Sequence, residues 1–421
     1  MSGVPASNVI RAHRSTPTDE KFEIAWRNEA GLGQRSVIVH HWEGILLKIT
    51  QIDILRAAVP FTAGQRALAD VAGEDTFNAA SPNITRMETL MVRVHTDQGL
   101  IGWGEAFGHG LNPVTFTALK TLVGPFFLGA RVEDHAATLE KALRAFHGFG
   151  RTGAVHYALS AIDIALWDLA AQAAGKPLCA HLGSEPRELE LYASLVSYGN
   201  DPAEVARQVQ RVHGLGFKRL KLHETESRAI AAAREALPAQ AQLMVDTNCP
   251  WRASEAVEVA TGLKGLNLTW LEEPVWPPDD LEGLARVRKV GVPIAAGENA
   301  SGIEGFRTLL ASGCVDVAQP SVAKIGGVTG MLQAFEIARE YGVKVVPHCF
   351  YYGPGLLAAA HLAATLPDDI ALEVPMIEFE RPLHDWLAFT PRKTLPARAG
   401  LGFAPDLALL EESLIESVTL T

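Results

Sequence analysis

The pattern of polar and apolar residues predicts regular structure from Leu46 onward. The run LLKITQIDILRAAVP alternates as a half-buried strand does, and residues 87–108 predict a hairpin that turns at the sequence DQG, ending in Gly99. A largely helical stretch follows and ends in the apolar segment 154–178. A strand, a hairpin and then helices predict an α+β unit.

After Arg187 the pattern changes to short apolar runs that alternate with helical segments. Such a βα rhythm predicts a barrel of parallel strands, in which the carboxyl ends of all strands meet in one mouth. The runs that we interpret as barrel strands are 189–198, 217–223, 241–248, 268–274, 293–299, 315–322, 344–350 and 370–375.

Three carboxylates stand at the ends of three successive predicted strands. Asp246 follows LMV, Glu272 lies in WLEEP and Glu298 lies in AAGEN, and 26 residues separate each acid from the next. That interval is one strand, one loop and one helix, so we expect the three acids to converge in the barrel mouth. Three oxygen ligands suit a hard divalent cation, and we predict Mg²⁺, with substrate and water completing its coordination.

Basic residues are predicted beside these acids. In FKRLKLH, Lys221 and His223 share one face of a strand, while the leucines can pack against the outer helices. His348 ends the run VVPH on the opposite side of the barrel. A cation and a base next to a metal site are what proton abstraction needs. The alternative is a structural lysine and satisfied core histidines.

Further polar residues belong to the predicted site. Asn248 lies two residues after the first acid, so the two are predicted to share a strand face, and Asn248 is predicted to support the metal ligands from outside. Glu373 in IALEVP lies where catalytic groups of barrels are expected. Glu272 and Glu273 must face opposite ways on a strand, and we assign Glu272 to the metal because it shares a side with Trp270. The reverse assignment stays open.

Composition argues against several classes of function. A net charge of -11 without a basic cluster disfavours nucleic acid binding, which depends on clustered Lys and Arg. No run of about 18 apolar residues lacks charge, so no membrane span is predicted. The cysteines are too scattered for a disulfide framework or a CxxC metal site, which favours a cytoplasmic location: Cys179, Cys249, Cys314 and Cys349.

Four segments are predicted along the chain. Residues 1–45 lack a regular pattern, and we expect a disordered arm or extension. Residues 46–187 form the α+β unit, 188–375 the barrel, and 376–421 a C-terminal segment that packs back on the first unit. The polar segment 62–86 is long enough to be a lid, although a solvated loop is an equal alternative.

Taken together, the motifs resemble the enolase superfamily and, within it, the mandelate racemase and muconate lactonizing enzyme group. The likeness covers about residues 46–400 and rests on motifs in order and at family spacing: GWGEAFG, SAIDIALWDLAAQAAGKPL, GFKRLKLH, MVDTN, WLEEP, AAGEN, KIGGVTG and VVPH. It implies an α/β fold, a (β/α)7β TIM-like barrel with an N-terminal α+β capping domain, and a homo-oligomer. It also implies Mg²⁺ held by Asp246, Glu272 and Glu298, and removal of the proton α to a carboxylate through an enediolate.

Two positions depart from the family pattern. The family's Lys-x-Lys at the end of strand two is Lys221-Leu222-His223 here, which places a histidine at the position of the base. Racemase-like members pair the strand-seven histidine, here His348, with an aspartate from strand six, and Ser321 stands at that position. A histidine without a carboxylate partner is a weaker base but can still give a proton to a leaving hydroxyl. This departure favours elimination of water over racemisation.

The resemblance also implies roles for the remaining groups. Lys221 would hold the substrate carboxylate against the metal, and Glu373 matches the strand-eight acid that hydrogen-bonds the developing enediolate. Lys324 is interpreted as a structural or rim residue. The initiating base stays open among Lys221, His223 and His348.

We therefore predict a lyase that acts on a small-molecule carboxylate, namely one that dehydrates a sugar-derived hydroxy acid to a 2-keto-3-deoxy acid. An epimerase, or a cycloisomerase of a lactone or anhydro-sugar acid, is the alternative. A metal-binding barrel without catalysis is a remote one. Specificity is expected in the loops between Pro60 and Arg86, with Arg66, Asn83 and Arg86 as polar candidates.

Overall fold

The computed structural model describes residues 46–63 and 84–421, together with the backbone of two short strands, β1 (Phe22–Ile24) and β2 (Val37–Val39). These two strands pair antiparallel. They belong to one compact unit, Met1–Leu46, and a second unit comprises the rest of the chain.

Two predictions concern segments that lie outside the described residues. One is the arm 1–45, of which only the backbone of β1 and β2 is described, and the other is the lid, of which residues 64–83 lie outside. Arg66 and Asn83 belong to that segment. Arg86 is described, and its guanidinium donates to the backbone oxygen of Ala58 at 2.7 Å.

The second unit combines antiparallel strands, parallel strands and helices. Its strands are β3 (Ile49–Thr62), β4 (Arg86–Thr96), β5 (Ile101–Ala106), β6 (Glu188–Ser194), β7 (Arg219–Leu222), β8 (Gln242–Asp246), β9 (Trp270–Glu272), β10 (Ile294–Ala296), β11 (Val317–Ala318), β12 (Lys344–Val345), β13 (Leu372–Pro375), β14 (Glu378–Phe379), β15 (Arg392–Thr394) and β16 (Leu414–Leu420). Its α-helices are α1 (Asn112–Ala118), α2 (Gly124–Phe127), α3 (His135–Ala145), α4 (Ala154–Ala173), α5 (Leu178–His181), α6 (Pro202–Gly214), α7 (Ser227–Ala236), α8 (Ala253–Leu263), α9 (Leu281–Arg288), α10 (Gly302–Ala311), α11 (Gly327–Tyr341), α12 (Pro354–Ala363) and α13 (Leu407–Glu412).

An antiparallel sheet forms the N-terminal part of this unit. Strands β4 and β5 make the hairpin that the sequence predicts, with Gly99 in its turn at a φ of 79°. Strand β3 pairs with β4, and β14 and β16 pair with successive parts of β3. The end of the chain therefore returns to the sheet with which the unit begins.

Eight parallel strands form the barrel. Their order is β13-β6-β7-β8-β9-β10-β11-β12, and one helix of the series α6 to α12 lies between each strand and the next along the chain. Eight strands with seven helices between them, next to an antiparallel capping sheet, confirm the predicted (β/α)7β TIM-like fold.

The hydrogen-bonded ladder is open between β12 and β13 within the described part of the chain. Pro347 offers no N–H to a ladder there. The backbone of His348 instead pairs with Ser321, and the N–H of Cys349 donates to the Glu373 carboxylate at 2.9 Å. The barrel therefore has the eight predicted strands, with a seam at which a buried acid replaces strand pairing.

The capping sheet packs closely against helix α4. A Cβ on Gly102 or Gly104 of β5 would lie 2.3 Å from the backbone oxygen of Ala165 or 1.9 Å from that of Ala161, so only glycine allows this close approach. Among the residues that the structure describes, α4 is the one helix long and apolar enough to cross a membrane. In its most apolar stretch, 89% is buried inside the protein.

Buried carboxylates connect the capping sheet to the barrel. Glu105 of β5 accepts hydrogen bonds from the N–H groups of Gly353 (3.0 Å) and Gly355 (2.8 Å), where α12 begins. The free N–H groups at a helix N-terminus favour a negative charge. Asp163 of α4 accepts from the backbone N–H of Thr329 (2.9 Å) and from its hydroxyl (2.6 Å) in α11. These contacts fix the helices that carry the barrel mouth.

Burial raises the pKa of Asp163 to about 7. Between about pH 4 and about pH 7 the native protein then binds more protons at this group than the unfolded chain, so the free energy of unfolding falls as the pH rises through this window. We expect Asp163→Asn to abolish this fall in the free energy of unfolding, which amounts to up to about 4 kcal/mol across the window. Denaturant unfolding at a series of pH values measures it. The exposed Asp368→Asn is the matched control and should keep the wild-type slope. An unchanged slope in Asp163→Asn would contradict the assignment.

Candidate metal centre and acid–base site

Three carboxylates meet at the carboxyl ends of adjacent barrel strands. Asp246 and Glu272 are the last residues of β8 and β9, and Glu298 follows β10 by two residues. One oxygen of each acid lies within 4.8 Å of the others. Two oxygens bound to one Mg²⁺ lie at most about 4.2 Å apart, so a small side-chain movement would complete a ligand set. The structure thus brings together the three residues that the spacing selects.

Lys221 lies among these acids and is fully buried. Its Nζ is 2.7 Å from Glu373, 2.9 Å from Glu272 and 3.2 Å from Asp246. Burial would lower the pKa of Lys221, but Glu272 and Glu373 raise it well above the ordinary value. The side chain is therefore a permanent cation. The sequence assigned it to the substrate carboxylate, whereas its contacts in the structure are protein carboxylates and it has no exposed surface.

The negative charge of the acids exceeds what Lys221 can neutralise. Burial raises the pKa of Glu272 well above its usual range, and the neighbouring Asp246 carboxylate raises it further. Burial would raise the pKa of Asp246 as well, but Lys221 and His223 hold it below the usual value. An oxygen-only ligand set with surplus negative charge fits a divalent cation such as Mg²⁺.

Lys324 belongs to this cluster. Of its two predicted interpretations, a structural or a rim residue, its burial contradicts the rim position and supports the structural one. It is 4% exposed, and its Nζ lies 2.9 Å from Glu298, 2.8 Å from the side-chain oxygen of Asn299 and 4.5 Å from the ring centre of Phe107. Burial would raise the pKa of Glu298, but His348 and Lys324 hold it well below its usual range. Lys324 follows Glu298 by 26 residues, the interval that separates the three acids, so the sequence did contain a signal.

His223 follows β7 and lies beside the first acid. Its Nδ1 makes a short contact with the backbone oxygen of Leu195, and its Nε2 lies 3.4 Å from Asp246. A carbonyl oxygen can only accept, so Nδ1 carries a proton. A distance of 3.4 Å is longer than a good N–H···O hydrogen bond. In the neutral ring, Nε2 is therefore the nitrogen that can accept a proton.

His348 lies at the other end of the row of acids. Its Nε2 is 2.8 Å from Glu298, and its Nδ1 is 2.8 Å from Oγ of Ser321. The backbones of Ser321 and His348 pair in a parallel bridge, which fixes the two side chains next to each other. Phe107 packs edge-on against the imidazole at 6.3 Å between ring centres. The structure thus unites His348 with the serine that replaces the family's aspartate.

The turns after β8 and β9 hold the residues that support the acids. Asn248 donates its backbone N–H to Asp246 at 3.0 Å, and its side-chain amide donates to the same oxygen. The sequence placed Asn248 on a shared strand face, but β8 ends at Asp246 and the contact arises from a left-handed turn with φ 52°. Glu273, at φ 45°, is not one of the three acids whose oxygens converge, and its carboxylate accepts from Asn299 at 2.6 Å. Glu272, not Glu273, therefore faces the cluster.

Comparison with known protein families finds counterparts for both parts of the chain. Residues 204–409 match the family described as Enolase C-terminal domain-like, and residues 70–183 match the N-terminal domain of the mandelate racemase / muconate lactonizing enzyme family. The chain belongs to this family and is an enzyme of the mandelate racemase and muconate lactonizing enzyme group.

Individual relatives cover most of the chain. D-galactarolactone cycloisomerase of Agrobacterium fabrum is 30% identical over 361 residues, which are 82% of this chain and 94% of that protein. L-talarate/galactarate dehydratase of Salmonella typhimurium is 28% identical over 333 residues, 76% of this chain and 81% of that protein. The structure of L-talarate dehydratase from a Polaromonas species, complexed with Mg and L-glucarate, is 25% identical with a TM-score of 0.75, over 89% of this chain and 99% of that one. Similar proteins thus include both dehydratases and a cycloisomerase.

A pair of adjacent glutamates tests the metal centre. We expect Mg²⁺ to raise the melting temperature of the EDTA-treated protein, because a ligand that binds only the native state stabilises it by about 2.7 kcal/mol at 100 times its Kd. Glu272→Gln should lose most of this rise, measured by scanning calorimetry with and without Mg²⁺. Glu273→Gln removes an equally buried carboxylate that faces Asn299, so it should keep the rise. Equal losses in both variants, or no effect in the wild type, would exclude this centre.

Proposed function

We propose that this enzyme removes the proton α to the carboxylate of a sugar-derived acid and expels the oxygen on the adjacent carbon as water. The dehydration would yield a 2-keto-3-deoxy acid. The observation that carries the proposal is the placement of His223 and His348 at the two ends of the row of acids, with different partners on Nδ1. The relatives that act as L-talarate/galactarate dehydratases support this class of substrate and of reaction.

We assign Mg²⁺ to Asp246, Glu272 and Glu298. When bound, the cation would neutralise the substrate carboxylate and the charge that develops on it as the α-proton leaves. Lys221 and Lys324 contact these acids from within the protein and would hold their carboxylates in orientation. The carboxylate-only ligand set and the Mg-bound relative support the assignment.

We assign His223 as the base. Its Nδ1–H is held by the Leu195 carbonyl, which leaves Nε2 to take the α-proton. Lys221 cannot serve, because three carboxylates hold it as an ammonium ion. Imidazole is also the side chain whose proton affinity suits exchange near pH 7.

We assign His348 as the acid that protonates the departing oxygen. Its Nδ1 contacts the Ser321 hydroxyl, and among the described residues no carboxylate is found at Nδ1, where a basic dyad would have one. Racemisation requires competent bases on both faces of the substrate, so the serine favours elimination. Glu373 contacts Lys221 and the Cys349 N–H. We give its predicted hydrogen bond to the developing enediolate less weight than these contacts.

A cycloisomerase is the second candidate. The similarity to D-galactarolactone cycloisomerase over 94% of that protein favours it. The same base and acid would serve, but an oxygen that belongs to a lactone or anhydro ring stays attached to the product, whose mass equals that of the substrate. The cytoplasmic location and the homo-oligomer stay predictions.

Product mass separates these reactions. We expect one member of a panel of aldonic acids, aldaric acids and their lactones, incubated with Mg²⁺, to give a 2-keto acid lighter by one water, followed by mass spectrometry and a keto-acid reagent. Turnover should stop with EDTA and in Glu272→Gln, because both remove the metal centre. A product of unchanged mass from a lactone would establish the cycloisomerase instead. Solvent deuterium at the α-carbon without either product would contradict elimination and indicate an epimerase.

A further inference from the structure

We propose that Glu224 and Asn200 are positioning residues that fix the loop of His223 against the neighbouring loop of the barrel. Both side chains hydrogen-bond within the protein, and they act on the reaction through the place that they give to His223. The role of His223 as the base rests on the function proposed above, whereas the hydrogen bonds between the two loops can be tested without turnover.

The two loops follow adjacent parallel strands. Strand β6 ends at Ser194 and β7 ends at Leu222. The ladder continues by one bond, in which the N–H of Leu195 donates to the backbone oxygen of Lys221 at 2.9 Å. Beyond this bond the two segments run on to α6 and α7. His223 is the first residue after β7, so strand pairing fixes it from one side only.

The Glu224 carboxylate connects the second loop to the first. One of its oxygens accepts from the backbone N–H of Tyr198 at 2.5 Å, and the other accepts from the backbone N–H of Asn200 at 2.7 Å. Glu224 is 1% exposed, so bulk water does not compete for these bonds. Hydrogen bonds to an ionised acceptor are stronger than bonds between neutral groups, and this acceptor uses both oxygens.

Asn200 makes the reciprocal connection from the first loop to the second. Its side-chain oxygen accepts from the backbone N–H groups of Thr225 and Glu226, each at 2.8 Å. Its backbone is left-handed, with a φ of 59°, which asparagine tolerates better than most residues. Two backbone N–H groups of each loop thus donate to one side chain of the other loop. We call these four hydrogen bonds the loop clamp.

The loop clamp holds the chain just beyond His223. The last ladder bond lies at Lys221, two residues before His223, and the clamp begins at Glu224, one residue after it. Nδ1 of the ring contacts the backbone oxygen of Leu195, where the first loop begins. A shift of one loop against the other would change this contact and the direction in which Nε2 points. The loop clamp opposes such a shift.

The first loop is also anchored to the capping sheet. The hydroxyl of Tyr198 donates to the backbone oxygen of Ala63 at 3.0 Å, and both residues are 1% exposed. Ala63 directly follows the end of β3. The backbone N–H of the same tyrosine donates to Glu224. The loop clamp therefore fixes His223 relative to the capping sheet as well as to the barrel.

Four variants test the loop clamp. Glu224→Gln replaces one acceptor oxygen by an NH2 group, which must face one of the two N–H donors and cannot accept from it. Glu226→Gln removes the same charge from an exposed side chain of the same loop and is the matched control. Asn200→Gly removes the other half, keeps the left-handed backbone without strain and leaves the Glu224 charge in place. Asn200→Asp keeps the acceptor oxygen and is the conservative variant.

Hydrogen exchange reports on the loop clamp without turnover. Burial raises the pKa of Glu224 to about 7, so exchange is measured above that pH, with Mg²⁺, by mass spectrometry of peptides that cover residues 195–201 and 222–227. We expect exchange at least about 10-fold faster than in the wild type in 195–201 for Glu224→Gln and in 222–227 for Asn200→Gly. Glu226→Gln should match the wild type. Unchanged exchange in either of the first two variants would overturn the clamp, and should one fail to fold, the other decides alone.

Kinetics test the consequence for His223. We expect Glu224→Gln and Asn200→Gly each to lower kcat by about 10-fold or more with little change in KM, since a misplacement of about 1 Å can cost about 100-fold. Exchange of the substrate α-proton with solvent deuterium should fall by the same factor, because it also needs the base. Asn200→Asp should restore both. Mg²⁺ should raise the melting temperature as in the wild type, because the three acids are unchanged.

Faster hydrogen exchange in the loops with unchanged kcat would overturn the positioning role. A loss of product with full α-proton exchange would also overturn it, because the effect would then not pass through the base. A wild type inactive on every substrate would refute the proposed function. Hydrogen exchange would then still decide the clamp, and a crystal structure of Asn200→Gly would decide whether His223 loses its contact with Leu195.

Discussion

Buried negative charge is the constraint around which the barrel mouth is built. Within the described part of the chain, five largely buried carboxylates stand against two ammonium groups, Lys221 and Lys324. If all five are ionised, three of them lack a permanent counter-charge: Asp246, Glu272, Glu273, Glu298 and Glu373. Burying an ionised carboxylate is costly unless it is paired. Burial raises the pKa of Glu273 to about 8, and the neighbouring Glu298 and Asp246 carboxylates contribute to the rise, as expected where positive charge is short. A divalent cation supplies what the protein's own side chains do not.

The fold holds these acids in place by rigid means. Asp246 and Glu272 end parallel strands, and residues in left-handed turns, such as Asn248, hold the carboxylates from the next positions. The seam between β12 and β13 uses Glu373 in place of strand pairing, so one of the acids also closes the barrel wall. Glu105 ties the capping sheet to the start of α12, just beyond the strand-seven histidine. Buried carboxylates therefore both form the charge cluster and hold the barrel and the capping sheet together.

The sequence predicts the acids well because strand spacing alone determines where the ends of parallel strands lie. The place of Lys324 among the acids was not predicted, because it lies six residues beyond the end of β11. There the alternation of a strand no longer tells which way a side chain points. The contact of Asn248 with Asp246 was predicted correctly but for the wrong reason. A turn with positive φ, and not a shared strand face, brings Asn248 to Asp246. The backbone partner of His223 was beyond pattern analysis, and Ser321 as the partner of His348 came only from the family resemblance. Both contacts depend on how closely neighbouring strands place a carbonyl oxygen or a hydroxyl.

The division of labour between the two histidines is the central claim of this account, and isotope exchange tests it most directly. In D2O with a turned-over sugar acid and Mg²⁺, His348→Asn is predicted to exchange the substrate α-proton for deuterium while product formation falls by about 100-fold or more. His223→Asn is predicted to lose both exchange and product. Exchange that survives in His223→Asn but disappears in His348→Asn would contradict the account, because the base would then lie on the strand-seven side.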